Sequence, residues 1–279
     1  VKVKALFDFI LEREAVRVKK ERGDAKPWTK DPILQRYRFC NVHRENDKVT
    51  IWIRENWREP SADNPDLWFS MVVARLLNKP ESLGFLGWPL PWNPKRFKKL
   101  MRERKEAGLK IFSAAYMIHA DAVETGLKTD YLADFVLAPM WKERAELRPR
   151  KGDTLAQFHA RIMTQRDMGS FMAAQVVADT KFTPPLDKAT DWWTWAAPGP
   201  GSMKGMNYVL GLPASAKHPN GVWEANLKVL QTQIDPLTRE ANMQRISAQD
   251  LQNCLCEFSK HERARLGEGR PKQLYPGAA

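Results

Sequence analysis

Leu155-Ala-Gln-Phe-His-Ala-Arg-Ile-Met-Thr-Gln-Arg-Asp-Met-Gly169-Ser-Phe-Met-Ala-Ala-Gln-Val-Val-Ala-Asp179 reads as a helix, a tight glycine-bearing turn and a second helix. Asp191-Trp-Trp-Thr-Trp-Ala-Ala-Pro-Gly-Pro-Gly-Ser-Met-Lys-Gly205 follows as an acid-led loop rich in tryptophan and glycine. A helix that starts behind a glycine turn presents unpaired backbone N–H groups, which suits a phosphate and makes Gly169 and Ser170 candidate DNA contacts. An acid about twenty residues beyond the turn, beside indole rings, suits chemistry on a base lifted out of a DNA stack.

The apolar spacing on either side of this stretch is helical. Phe7, Ile10, Leu11, Ala15 and Val18 give a helix over 5–21, and Ser247–Arg265 gives another. Asp31-Pro32 is a helix-start signal, predicting a helix or long turn from Ile33 to Val42. Residues 47–57 read as helix, with Val49-Thr-Ile-Trp-Ile53 allowing a strand instead. Helices are also expected over 66–77, 94–107, 128–144 and 221–233, with a loop over 84–94 and an extended tail over 267–279. The expected fold is mostly α. Residues 1–150 would form a basic N-terminal helical lobe and 151–279 the hairpin and catalytic-loop lobe, unless both make one compact domain.

Among 279 residues, 45 Lys/Arg against 33 Asp/Glu leave a net charge of +12, and thirty of those cations fall in the first 150 residues. Such an excess favours a polyanionic partner, nucleic acid first, over a merely soluble basic surface. No apolar run approaches the ~18–20 residues that span a bilayer, so no membrane partner is expected; an intracellular place is expected from the cysteines, read as reduced and partly buried thiols. Cys40, Cys254 and Cys256 fit neither a disulfide framework nor a zinc site. The sequence G-x-x-x-x-G-K-[ST] is absent, which disfavours an ATP-using P-loop, and no zinc-deaminase signature occurs.

Four constellations carry chemistry. Arg36-Tyr-Arg38-Phe-Cys-Asn41-Val-His-Arg44-Glu-Asn-Asp47-Lys48 packs cations around Tyr37 and Phe39. Read as a helix, it puts Arg36, Cys40 and Arg44 on one face, able to clamp phosphate oxygens. Lys95, Lys98 and Lys99 lie on a basic helix that could track a DNA backbone, an arrangement equally common on solvated helices. Three tryptophans within four residues, Trp192, Trp193 and Trp195, cannot all face one core, so one of them should line a cleft or stack on a planar ligand. Gly199 and Gly201 would let backbone approach that ligand, Lys204 adds a DNA-facing cation, and Asp191 is placed to act as base, with Asp179 and Asp187 as rivals. Finally, Asp250, Asn253, Glu257 and Lys260 share one polar helix face.

Arg166-Asp-Met-Gly169-Ser-Phe-Met-Ala173 resembles a degenerate helix–hairpin–helix of the DNA glycosylase superfamily, with Asp167 where the first hairpin glycine is usual. The chain thus looks like a DNA glycosylase-like helical fold, and Asp191 falls close to that superfamily's catalytic Asp. Arg36–Asp47 (RYRFCNVHREND), Met168–Asp179, Trp192–Gly201 (WWTWAAPGPG) and Gln249–Arg270 (QDLQNCLCEFSKHERARLGEGR) together resemble the alpha-glutamyl/putrescinyl thymine pyrophosphorylase family. That family is related to the helical part of 5-hydroxymethyluracil DNA kinases and belongs to phage thymine hypermodification.

The resemblance implies a transferase that replaces pyrophosphate on 5-(pyrophosphoryloxymethyl)uracil in double-stranded DNA with an amine from an amino acid or polyamine. It also implies an upstream 5-hydroxymethyluracil DNA kinase and a bacterial host cytoplasm. In that reading Arg36, Arg38, Arg44 and Lys48 hold the leaving pyrophosphate, with Mg²⁺ as an optional aid, and Asp191 takes a proton from the amine. Trp192, Trp193 or Trp195 stacks on the flipped base, Asn41 reads or fixes a polar neighbour, and Asn253 and Glu257 orient the amine. The alternatives are a true DNA glycosylase and a non-catalytic DNA-binding module that serves a kinase.

Overall fold

A computed structural model describes residues 2–113 and 127–275. In chain order the helices are α1 (Val3–Arg22), α2 (Pro32–Arg36), α3 (Lys48–Ile53), α4 (Leu67–Leu77), α5 (Pro80–Leu86), α6 (Pro94–Glu106), α7 (Lys128–Tyr131), α8 (Ala138–Lys142), α9 (Arg144–Leu147), α10 (Leu155–Ile162), α11 (Ser170–Thr180), α12 (Pro200–Leu210), α13 (Val222–Glu240) and α14 (Ala248–Arg265). The mostly α expectation holds. Among the described residues the sole extended pairing is an antiparallel bridge between Tyr37 and Leu274.

The chain divides into two units. One joins Val1–Asp47 to Trp193–Ala279, and the other is the intervening Lys48–Trp192. The boundary expected near residue 150 falls inside the intervening unit.

In the first unit, α1, α12, α13 and α14 surround a core of Phe9, Ile10, Leu34, Trp223, Leu227, Leu251 and Phe258. Each such side chain removed from water contributes roughly 1.5–3 kcal/mol. The packing of α12 on α14 explains two glycines. A Cβ at Gly201 would lie 2.4 Å from Cys256 Sγ, and one at Gly205 only 2.0 Å from the Leu255 carbonyl oxygen. The spacing Gly201-x-x-x-Gly205 therefore serves helix-to-helix approach.

In the intervening unit, α4 is buried along its whole length and packs Trp68 edge-on to Phe158 of α10. Residues 54–58 and 132–137 widen into π-helical turns that continue α3 and α7. Between α10 and α11 the chain reverses over residues 163–169, where Asp167 adopts the left-handed conformation at φ +59°. An Asp tolerates this region better than most side chains, and its carboxylate accepts a 2.6 Å hydrogen bond from the Tyr131 hydroxyl.

Two expectations change. The helix started by Asp31-Pro32 stops at Arg36, because Tyr37 turns extended to pair with Leu274; residues 37–43 form no helix, so Arg36, Cys40 and Arg44 do not share a helical face. The loop expected over 84–94 begins later, since α5 carries residues 84–86. Of the tail expected to be extended, residues 276–279 lie outside the described residues.

Candidate functional site

The polar face predicted on α14 is real, and it faces a backbone. Asp250 Oδ1 accepts the Arg44 amide at 3.0 Å, Asn253 Nδ2 donates to the Asn41 carbonyl at 3.2 Å, and Glu257 Oε2 accepts the Cys40 amide at 3.4 Å. From the other side the buried Arg13 of α1 donates to the carbonyls of Cys40 (2.5 Å) and Asn41 (3.0 Å). Asn41 also closes the loop on itself, its side chain donating to the Asn46 carbonyl at 2.7 Å and its amide to Asp47 at 3.2 Å. Segment 38–47 has no regular structure apart from a 3-10 turn over Arg44–Asn46, so these side chains supply the partners its backbone needs. Several involve charged groups, which are the stronger kind.

The pinned segment borders a crevice lined by Arg13, Arg17, Lys20, Tyr37, Phe39, Cys40, Asn41 and Tyr275. Its rim is cationic and aromatic. The Arg38 amide donates to the Gln273 carbonyl at 2.9 Å and the Tyr275 amide to the Arg36 carbonyl at 3.0 Å, which seats Tyr275 beside Trp28, with ring centroids 5.5 Å apart. The Lys20 and Lys26 ammonium groups both lie over this pair, 5.7 and 5.2 Å from Trp28 and 5.2 and 5.3 Å from Tyr275. Partial burial first, and then the positive charge of Arg38, pull the Lys20 ammonium below its ordinary value, with Lys26 adding to the effect and Glu21 opposing it. Arg17 differs, being held by Glu14 and Glu21 at 2.5 Å each. Like charges gathered around rings favour an anion that would relieve their repulsion.

The other candidates are placed as follows. Arg36 and Arg38 are exposed near the crevice, Arg44 is half-buried on Asp250, and Lys48 is exposed at the start of the intervening unit. Asn253 and Glu257 meet the Arg36–Asp47 segment as described. Asp191 is in the intervening unit and caps α10, its two oxygens accepting the Leu155 and Ala156 amides at 2.7 and 3.1 Å. Trp192 is fixed by its indole N–H on the Lys181 carbonyl (2.8 Å), with the Lys181 ammonium 3.9 Å from its ring centre.

Trp193 is 39% exposed, with the Arg245 guanidinium 4.5 Å over its ring and its carbonyl held by Gln231 and the Ala248 amide. Trp195 is half-buried, Gly199 sits 3.5 Å (from a built Cβ) from Gln252 of α14, and Lys204 is exposed. Gly201 approaches Cys256 closely, which gives its lack of a side chain a packing reason. On α6, Lys98 is engaged by Asp134 at 2.7 Å and Arg102 by Asp130; Lys95 and Lys99 are exposed, Lys99 lying 3.9 Å from Glu103. Gly169 has ordinary extended backbone and open space where a Cβ would stand; it and Ser170 start α11 with no side-chain cap. Asp179, the rival acid, is fully buried against Arg75.

Sequence reasoning missed Lys20, Lys26, Trp28 and Tyr275. The available signal was the basic end of α1, followed by an aromatic and, far along the chain, a tyrosine; nothing local joins them. Cys254 is buried, and burial pushes its thiol up to about 11. No helix among the described residues is long and apolar enough to cross a membrane.

A family model described as 5-hmdU DNA kinase, helical domain, matches residues 2–270. The 5-hmdU DNA kinase of Bacillus phage SP10 is 25% identical over 283 residues, covering 91% of this chain and 44% of that protein. The chain therefore spans less than half the length of this relative. No solved structure matches. With a match across nearly its whole length, the chain belongs to the family of 5-hmdU DNA kinase helical domains.

Proposed function

We propose that this chain is a DNA-engaging helical module of a 5-hydroxymethyluracil modification pathway, and that its crevice holds a phosphate or pyrophosphate carried by the modified base. The observation that carries this is the convergence of Lys20 and Lys26 on the Trp28–Tyr275 pair, with the Arg38 charge acting on both Lys20 and Tyr275, beside a backbone pinned by Arg13 and α14. Cations fixed before the ligand arrives stabilise its charge without reorganisation. The phage kinase acts, by its name, on 5-hydroxymethyldeoxyuridine in DNA, and a helical module there needs to recognise the same base before or after phosphorylation. The α10–α11 turn supports a DNA grip of helix–hairpin–helix type. Asp167 supplies the left-handed residue, and Gly169 leaves open space in front of the α11 amides.

The test is duplex binding by fluorescence anisotropy, with thymine, 5-hydroxymethyluracil or its pyrophosphate at one position. Preference for the pyrophosphorylated duplex, lost in Arg38→Gln and Lys20→Gln, supports the reading. Equal affinity of the wild type for all three duplexes, or a preference that both variants keep, overturns it.

A second reading makes the module catalytic, as in the thymine pyrophosphorylases, exchanging pyrophosphate for an amine on DNA supplied by a kinase in a phage-infected cell. A groove of acidic lining on the far side of Leu34 favours it. Nucleoside mass spectrometry of pyrophosphorylated DNA incubated with protein and amines decides it. A nucleoside with one amine in place of pyrophosphate supports exchange, and loss of the base would mark a glycosylase instead.

A further inference from the structure

The crevice between α1, segment 37–41 and Tyr275 encloses about 20 Å³, which is room for about one water molecule. A tetrahedral phosphoryl group is larger than that. For such a group to enter, one wall has to give way, and the walls are not equally fixed.

Two of them are held from behind. Arg13 and Val16 lie on the buried face of α1, a helix of 20 residues. In segment 37–41 the Cys40 and Asn41 carbonyls are bonded by Arg13, the Cys40 amide by Glu257 and the Asn41 carbonyl again by Asn253. Phe39 is wedged edge-on to Phe9, with ring centroids 5.7 Å apart.

The third wall is the end of the described chain. Pro271 is buried, but Lys272, Gln273 and Leu274 after it are exposed, Leu274 by 45%, and only the Tyr275 ring turns inward. Among the described residues, the backbone bonds that hold this stretch run from the Arg38 amide to the Gln273 carbonyl and from the Tyr275 amide to the Arg36 carbonyl. A short segment tied at so few points, with little apolar contact, opens at low cost.

Its closed position also gathers like charge. Lys20 and Lys26 lie 5.2 and 5.3 Å from the Tyr275 ring centre, the Arg38 charge acts on both Lys20 and Tyr275, and Lys272 brings a further cation. The acid facing Lys20 is Glu21, and Glu21 is shared with Arg17. Cations held together in this way repel one another, and an anion among them turns the repulsion into attraction. The anion therefore favours the closed arrangement over the open one, which is the differential affinity that a conformational shift requires.

We propose that residues 272–275 are a strap over the crevice, which opens to admit a phosphoryl anion and closes on it through Tyr275. The strap rests on the reading of the crevice as a phosphate or pyrophosphate site. It adds an order of events: the tail lifts, the anion enters among Lys20, Lys26 and Arg38, and the tail returns to shut it in.

The test follows amide hydrogen exchange of the whole chain at single residues, with sodium pyrophosphate or with sodium chloride at equal ionic strength. In the free protein the Arg38 and Tyr275 amides should exchange together, since one opening breaks both bonds, and faster than the Cys40 and Arg44 amides held by Glu257 and Asp250. Pyrophosphate at about ten times its dissociation constant should slow the first pair about tenfold and leave the second pair unchanged. Tyr275→Ala, checked for folding by circular dichroism, should bind pyrophosphate about tenfold more weakly by calorimetry. Pyrophosphate binding that leaves the Arg38 and Tyr275 amides unmoved, or an unchanged affinity in Tyr275→Ala, overturns the strap while the crevice reading stands. No heat from pyrophosphate at a concentration on the order of 10 mM overturns both.

Discussion

Two clusters in this molecule are built around cations and end in opposite states. In the intervening unit, Arg75 (2% exposed) and Asp179 (0%) form a two-pronged ion pair at 2.5 and 2.6 Å. Thr50 at 3.0 Å and Asn78 at 3.3 Å complete the Arg75 guanidinium. Every cation there meets an acceptor and water is excluded. At the crevice of the first unit, Lys20 and Lys26 lie over rings, and the charges of Lys26 and Arg38 act on Lys20. A sealed, charge-matched cluster specifies a fold, whereas an open one with surplus charge of a single sign is prepared for a ligand.

The comparison breaks first on stability. Asp179→Ala should cost about 3–5 kcal/mol in urea unfolding, because Arg75 is left buried and uncompensated. Lys20→Gln and Arg38→Gln should each stay within about 0.5 kcal/mol of wild type, as surface changes do. A crevice variant as damaging as Asp179→Ala would erase the distinction. Next in size, Gly205→Ala should cost about 1–3 kcal/mol or more, since its Cβ would meet the Leu255 carbonyl at 2.0 Å and α12 would have to move off α14.

Asp191→Ala should cost about 0.5–2 kcal/mol, because the Leu155 and Ala156 amides lose their acceptor while the Thr154–Gln157 capping box stays, and leave any exchange reaction running. Abolished exchange in a folded Asp191→Ala protein would restore that residue as the base. On DNA, removing Lys20 or Arg38 should lower the slope of log affinity against log salt by about one each, which a salt titration reads directly.

The smallest effect concerns pH. The folded Asp31 carboxyl ionises below its ordinary 3.8, so its contribution to stability is fully present above that value. It is lost as pH falls through the lower folded value. Acid titration of unfolding should show this loss in wild type and its absence in Asp31→Asn.

Elements whose partners lie close in sequence were legible. The spacing of Phe7, Ile10 and Leu11 gave α1, and the 3- and 4-residue steps of Asp250, Asn253 and Glu257 gave one face of α14. What those three side chains touch was hidden, because their partners are backbone groups more than 200 residues away. The segment after Arg36 was misread for the same reason. Its bridge to Leu274 is invisible to any local window, and tertiary pairing overrode a helix-start signal that was itself sound. The tryptophans show a further limit. Composition announced that the three rings would not share one core and that one would line a cleft or stack on a ligand; Trp193 is 39% exposed beneath Arg245, and its neighbour Trp192 is tied to Lys181 by a contact that no spacing rule contains.

The discontinuity of the first unit has a consequence for synthesis on the ribosome. Chain emerges from the N-terminus at about 5–20 residues per second, and domains fold as units once their residues are out. Residues 48–192 are contiguous and can complete their core while the rest is still being translated. Segment 38–47 has to wait for Asp250, Asn253 and Glu257, and the Trp28–Tyr275 pair waits for the last residue described. Nascent chains stalled before α14 would thus carry a finished inner unit and no crevice, so a truncated product could be stable and still blind to its ligand.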